Sequence, residues 1–85
     1  MKHKLMIVKW RDSRRIRGEM FEPKDLKDAP LAILETIGFG VKFDNKIVLA
    51  SEYYPEDEDQ LEGYRELYTI PKVCVLQIKY LKEQE

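Results

Sequence analysis

Four arginines crowd one short stretch of the chain, Arg11, Arg14, Arg15 and Arg17, and they are its most usable polar feature. A guanidinium is a planar fork that grips phosphate or carboxylate through two parallel hydrogen bonds. Several together suit a phosphorylated ligand, an RNA backbone or an acidic partner. The bland alternative is a solvated charged turn. Trp10 stands beside them, either as a stacking surface or, in register with Met6 and Val8, as a core residue. A second charged feature runs from Glu52 through Glu56, Asp57, Glu58 and Asp59 to Glu62, flanked by Tyr53, Tyr54, Tyr64 and Tyr68. These rings offer a stacking wall for a base, or simply packing at the mouth of a β fold. The acidic run lacks the alternating ligands and central glycine of a calcium loop and reads as solvated surface. A further use is self-association, in which the acidic loop of one copy meets the basic turn of the next and closes a ring.

Catalytic chemistry finds few residues. His3 is the only histidine and lies close to a terminus expected to be flexible, a poor place for a base. Cys74, between Val73 and Val75, reads as a buried structural thiol with no histidine in a structured segment to activate it. Phosphate-cradling glycine loops, zinc-ligand spacing and paired catalytic carboxylates are all missing from the pattern. The expectation is a protein that is not an enzyme and needs no metal or cofactor.

The 85 residues suffice for one domain, expected over residues 1–82, with a frayed polar tail at 83–85. With 44% hydrophobic and 36% charged residues, a thin core under a heavily charged surface is expected rather than disorder. The net charge of -1 excludes the broad positive field of a non-specific nucleic-acid binder. A single cysteine forbids an internal disulfide and favours a reducing compartment. Leu5 to Val8 is too short an apolar run for a signal peptide or membrane span, so a cytoplasmic protein without membrane contact is expected.

The elements that must position these groups are strands. Lys4 to Arg11 alternates Met6, Val8 and Trp10 with Leu5, Ile7 and Lys9, the period-2 signature. Asp12 and Ser13 break it before the basic turn, and Glu19 to Glu22 suits a short returning strand. Pro23 favours a helical turn over residues 23–29, which Pro30 ends. Ile33, Ile37, Phe39, Val41 and Phe43 share one face of a long strand; Ile47, Leu49, Ser51 and Tyr53 return after Asp44-Asn45, a pair that tolerates left-handed turns. Gly38 and Gly40, on the opposite face from Phe39, mark a bend, a bulge or a close backbone approach. Tyr64 to Ile70 forms a fourth long strand, and Pro71 separates it from a last strand over Val73 to Leu81. The fold class expected is all-β, a small five-stranded barrel whose closure removes exposed edges.

The string Val8-Lys9-Trp10-Arg11-Asp12, the hairpin Ile37-Gly38-Phe39 with Ile47-Val48-Leu49-Ala50, and the step Ile70-Pro71-Lys72 before Val75 and Ile78 are similar to those of small phage and prophage proteins. At fold level the chain resembles Sm-like and Src-homology-type small barrels, in which a bent glycine-containing strand turns and returns as an apolar strand, as Gly38 to Leu49 does here. The resemblance implies a ring-forming barrel and, as a second function, an Sm-like RNA-binding module. The residues depart from the Sm-like pattern at Asn45-Lys46-Ile47, where the turn is shorter, and at Pro71-Lys72, which replaces an arginine-glycine pair.

The expectation is therefore a non-enzymatic phage-type domain, cytoplasmic in its host, that self-associates and binds a host protein or phosphorylated ligand. Its candidate binding residues are Arg11, Arg14, Arg15, Arg17, Trp10, Tyr53, Tyr54 and Lys72. Sm-like RNA binding and a purely structural assembly role are the alternatives.

Overall fold

In a computed structural model that describes residues 2–82, apolar alternation sets the first strand. β1 (Lys4–Asp12) buries Met6, Val8 and Trp10 on one face and half-buries Leu5, Ile7 and Lys9 on the other. β2 (Ala32–Lys42), β3 (Lys46–Tyr54), β4 (Gly63–Pro71) and β5 (Val75–Tyr80) complete one antiparallel sheet in the order β4-β3-β2-β1-β5. Two 3-10 helices interrupt the strands, η1 (Pro23–Asp28) and η2 (Lys72–Cys74). η1 begins on Pro23, whose fixed φ suits a first helical position, and closes where Ala29 N–H donates to Leu26 O at 3.2 Å. Pro30 follows directly. The helical turn expected over 23–29 is present.

The core is small and shared. Met6, Val8 and Trp10 of β1 pack with Ile47 and Leu49 of β3 and Ile70 of β4, and Cys74, Val75 and Ile78 pack against them. β4 and β5 are the two edges of the sheet, so their meeting in one core means that the sheet curls. η2 brings the two edges together in sequence, and its Lys72 N–H donates to Asn45 O at 3.0 Å, bracing the β2–β3 turn. Among the described residues β4 and β5 do not pair with each other. The sheet is thus open where a closed barrel was expected. Its middle is narrow: β2 and β3 pair only from Phe39 to Lys42 and from Ile47 to Ala50. Beyond that seam β2 continues beside β1 alone and β3 beside β4 alone.

β2 contributes space to this core more than side chains. Gly38 and Gly40 are both buried, opposite Met6 and Lys4 of β1. A Cβ on Gly40 would lie 2.6 Å from Leu49 Cδ2 and 2.7 Å from Met6 Sδ. On Gly38 it would lie 2.6 Å from the backbone oxygen of Ala50. Close approach by another strand is therefore the reason for these glycines. The apolar series on the other face of β2 points away from the core, and Ile33 and Ile37 are each 59% exposed.

Four local expectations change. Glu19 to Glu22 forms no strand, because Gly18 turns the chain at φ 81° and no neighbouring strand offers a ladder. Asp44-Asn45 makes the turn, closed by Phe43 N–H donating to Lys46 O at 2.8 Å, yet neither residue adopts positive φ. The last strand begins at Val75 rather than Val73, since residues 72–74 are helical. Its alternation then breaks at a bulge: Lys9 faces Gln77 and Trp10 faces Val75, leaving Leu76 as the extra, exposed residue. The expected frayed tail at 83–85 lies outside the described residues.

Candidate functional site

The candidate residues fall in three places. Arg11 is the penultimate residue of β1, and Arg14, Arg15 and Arg17 follow it into the long β1–β2 connection. Every residue from Arg11 to Leu31 is exposed, and beyond the end of β1 at Asp12 the only regular element in that span is η1. The molecule measures 61 × 25 × 23 Å, with a radius of gyration of 17.3 Å. A compact chain of this length would have about 12 Å. Residues 13–31 are therefore an arm rather than part of the packed body. Among the described residues the single ion pair is Lys24 Nζ to Glu22 Oε2, at 3.2 Å. None of the four guanidinium groups is neutralised by a carboxylate among the described residues. This is an arrangement that can take an anion.

Trp10 does not join them as a stacking surface. It is 9% exposed, sits in the core cluster, and donates from Nε1 to Thr36 Oγ1 at 3.0 Å. Lys72 lies on η2 against the Asn45 turn, in a different element from the arm.

Tyr53 and Tyr54 belong to a second cluster, where β3 runs into the acidic loop. Tyr53 pairs with Tyr64 across β3 and β4, their ring centres 5.0 Å apart. His3 closes on both, 4.3 Å from Tyr53 and 5.5 Å from Tyr64, and stands edge-on to Phe39 at 5.3 Å. Its Nδ1 is hydrogen-bonded to Tyr64 Oη at 2.7 Å. The expectation of a flexible terminus at His3 is overturned: three rings and a hydroxyl hold it. Tyr53 Oη donates to Glu62 Oε2 at 2.7 Å, and Tyr54 Oη donates to Glu52 Oε2 at 2.7 Å.

These hydrogen bonds fix the protonation of the phenols. Donation to Glu62, with some desolvation, pushes the Tyr53 pKa up to about 12. Tyr54 is raised chiefly by its bond to Glu52, and Arg65, 5.2 Å from the ring centre, works the other way. Burial, then the Glu62 charge, raises Tyr64. A phenol held in its neutral form is a poor base or nucleophile. Next to the cluster, Tyr54, Gln60, Leu61, Gly63, Tyr64 and Arg65 line a shallow cleft of about 370 Å³.

The rings of Tyr53, Tyr64, His3 and Phe39 pack edge-on or tilted against one another, while Tyr64 and Tyr68 stay exposed. Sequence reading overlooked His3, Phe39 and Glu62 as members of this group. The signal lay in the alternation of β1: His3 falls in step with Leu5, and Leu5 lies opposite Phe39. Among the described residues no three His, Cys, Asp or Glu side chains are grouped to hold a metal ion, and no helix is long and apolar enough to cross a membrane. Cys74 is free and half-buried.

Comparison with protein-family models, curated proteins and solved structures finds no match to this chain.

Proposed function

We propose that this chain is a non-enzymatic binding domain that self-associates and takes a phosphate-bearing partner on its arginine arm. The observation that carries the reading is the arm itself. Arg11 leaves the exposed end of β1, Arg14, Arg15 and Arg17 follow on the exposed arm, and no carboxylate among the described residues neutralises them. Guanidinium forks in this state keep their donors for a ligand, and their reach along an exposed segment suits a phosphorylated molecule or protein surface. A phage-type origin, which the resemblance of the sequence implies, would make a host protein the bearer of those phosphates.

RNA ranks second. The arm would serve its backbone, but Tyr53 and Tyr64 are engaged by His3, and Tyr53 also by Phe39, which makes them less suited to stacking on bases. Catalysis ranks last, because the titratable cluster holds its phenols neutral.

Retention of the purified chain on a phosphate-bearing resin tests the proposal. The wild type binds and elutes with salt, and the Arg15→Glu, Arg17→Glu double variant flows through with its circular dichroism unchanged. A double variant retained as firmly as the wild type overturns the assignment to the arm.

A further inference from the structure

The arm carries more than charge. Ile16, Phe21, Leu26, Ala29 and Pro30 line a hollow of about 400 Å³, with Arg14, Asp25 and Asp28 at its rim. The walls come from the arm alone, and no strand of the body contributes to them. On the same arm Met20 is 99% exposed, and Leu26, which lines the hollow, is 64% exposed. A fully exposed apolar side chain and an apolar hollow open to water are two surfaces that can meet between copies. Exposed apolar surface of this kind marks a contact site.

The rim charges say which partner fits. Arg14 carries one sign and Asp25 and Asp28 the other, and none of the three has an ion-pair partner among the described residues. A rim bearing both signs is self-complementary: rotation by half a turn sets the arginine of one copy against the carboxylates of another. Two-fold symmetry supplies every such contact twice from a single patch. The molecule is elongated, 61 × 25 × 23 Å, and no wall of the hollow comes from the sheet.

We infer that two copies of this chain pair arm to arm about a two-fold axis, Met20 of each entering the hollow of the other and Arg14 facing the partner's Asp25 and Asp28. This rests on the proposal that the chain self-associates and names the surface that does it. Methionine suits the task, because its unbranched, polarisable side chain adapts to an irregular hollow. Arg15 and Arg17 do not line the hollow and stay available for a phosphate-bearing partner.

Mass in solution, measured on the full chain by sedimentation equilibrium over a range of concentrations, is the test. The wild type is expected to be a dimer, and Met20→Asp to weaken it by roughly tenfold or more, as for the loss of a central anchor. The Asp25→Arg, Asp28→Arg variant is expected to dissociate as well, and adding Arg14→Asp to it to restore part of the dimer. Far-ultraviolet circular dichroism and Trp10 fluorescence stay unchanged throughout, because the substitutions lie outside the core. A larger assembly whose mass survives Met20→Asp and the double aspartate reversal overturns the arm pairing while leaving self-association intact. A wild type that is monomeric at every concentration overturns both. Loss of phosphate-resin binding in an intact dimer bears on the arginine reading alone.

Discussion

Tyr53 Oη donates a 2.7 Å hydrogen bond to Glu62 Oε2, tying the end of β3 to the loop that leads into β4. The bond joins two residues on either side of the acidic run, so it clamps the mouth of that loop. It exists only while the phenol keeps its proton.

A high-pH transition follows from that bond. The Tyr53 pKa rises from 10.0 to about 12 on folding, so the folded chain binds this proton more tightly than the unfolded one. Stability from this source is whole below pH 10, and it is lost as the pH climbs through about 12. A spectrophotometric titration of tyrosinate should show at least one phenol ionising late, and Tyr53→Phe should remove it. A late-ionising phenol that persists in Tyr53→Phe would assign the effect to Tyr54 or Tyr64 instead.

The two core glycines should respond differently to an added methyl group. At Gly38 the obstacle is the Ala50 carbonyl, which cannot yield without moving β3. At Gly40 the obstacles are the far ends of Leu49 and Met6, which can change rotamer. Gly38→Ala is expected to cost roughly 1–3 kcal/mol and Gly40→Ala less, since overpacking is worst where backbone must move. Urea denaturation of the two variants measures the order directly.

Trp10 is the largest side chain of the core. Trp10→Ala should cost roughly 3–5 kcal/mol, which a thin core cannot absorb. Trp10→Phe keeps most of the packing but leaves the Thr36 hydroxyl without its donor, a loss of about 1 kcal/mol. Thermal denaturation followed by circular dichroism distinguishes these two outcomes from a merely surface tryptophan, for which both changes would be small.

Holding His3 in its ring cluster should have a local signature. In His3→Ala the Tyr64 hydroxyl loses its partner and Phe39 loses an edge contact. Amide exchange is expected to quicken at the start of β1 and around Tyr64, while the Met6–Ile70 core keeps its protection. Unchanged exchange near Tyr64 would mean that His3 contributes nothing there.

The strand content was largely legible, because β1 obeys simple alternation and the prolines at 23, 30 and 71 punctuate the chain as their missing N–H and fixed φ require. The sidedness of β2 was not. Ile33, Ile37 and Phe39 form the more apolar series, yet the core lies on the glycine side, where Met6 and Leu49 need room. A pattern of side-chain polarity cannot register a position chosen for having no side chain. Likewise, the bulge at Leu76 depends on the pairing of β5 with β1, a contact between distant parts of the chain. Of the site, the arginines were visible as a charge run, while their isolation on an arm was not. The expected strand at Glu19–Glu22 would have folded that segment back into the body.

The central claim is that the arm is the anion-binding surface, and amide chemical shifts of the isotopically labelled protein titrated with tripolyphosphate test it most directly. Saturable shifts are expected at Arg15 and Arg17 and at their immediate neighbours, with the Met6, Leu49 and Ile70 amides unmoved. Shifts confined to the cleft of Tyr54, Tyr64 and Arg65, or to Lys72, or no shifts at all, would contradict it.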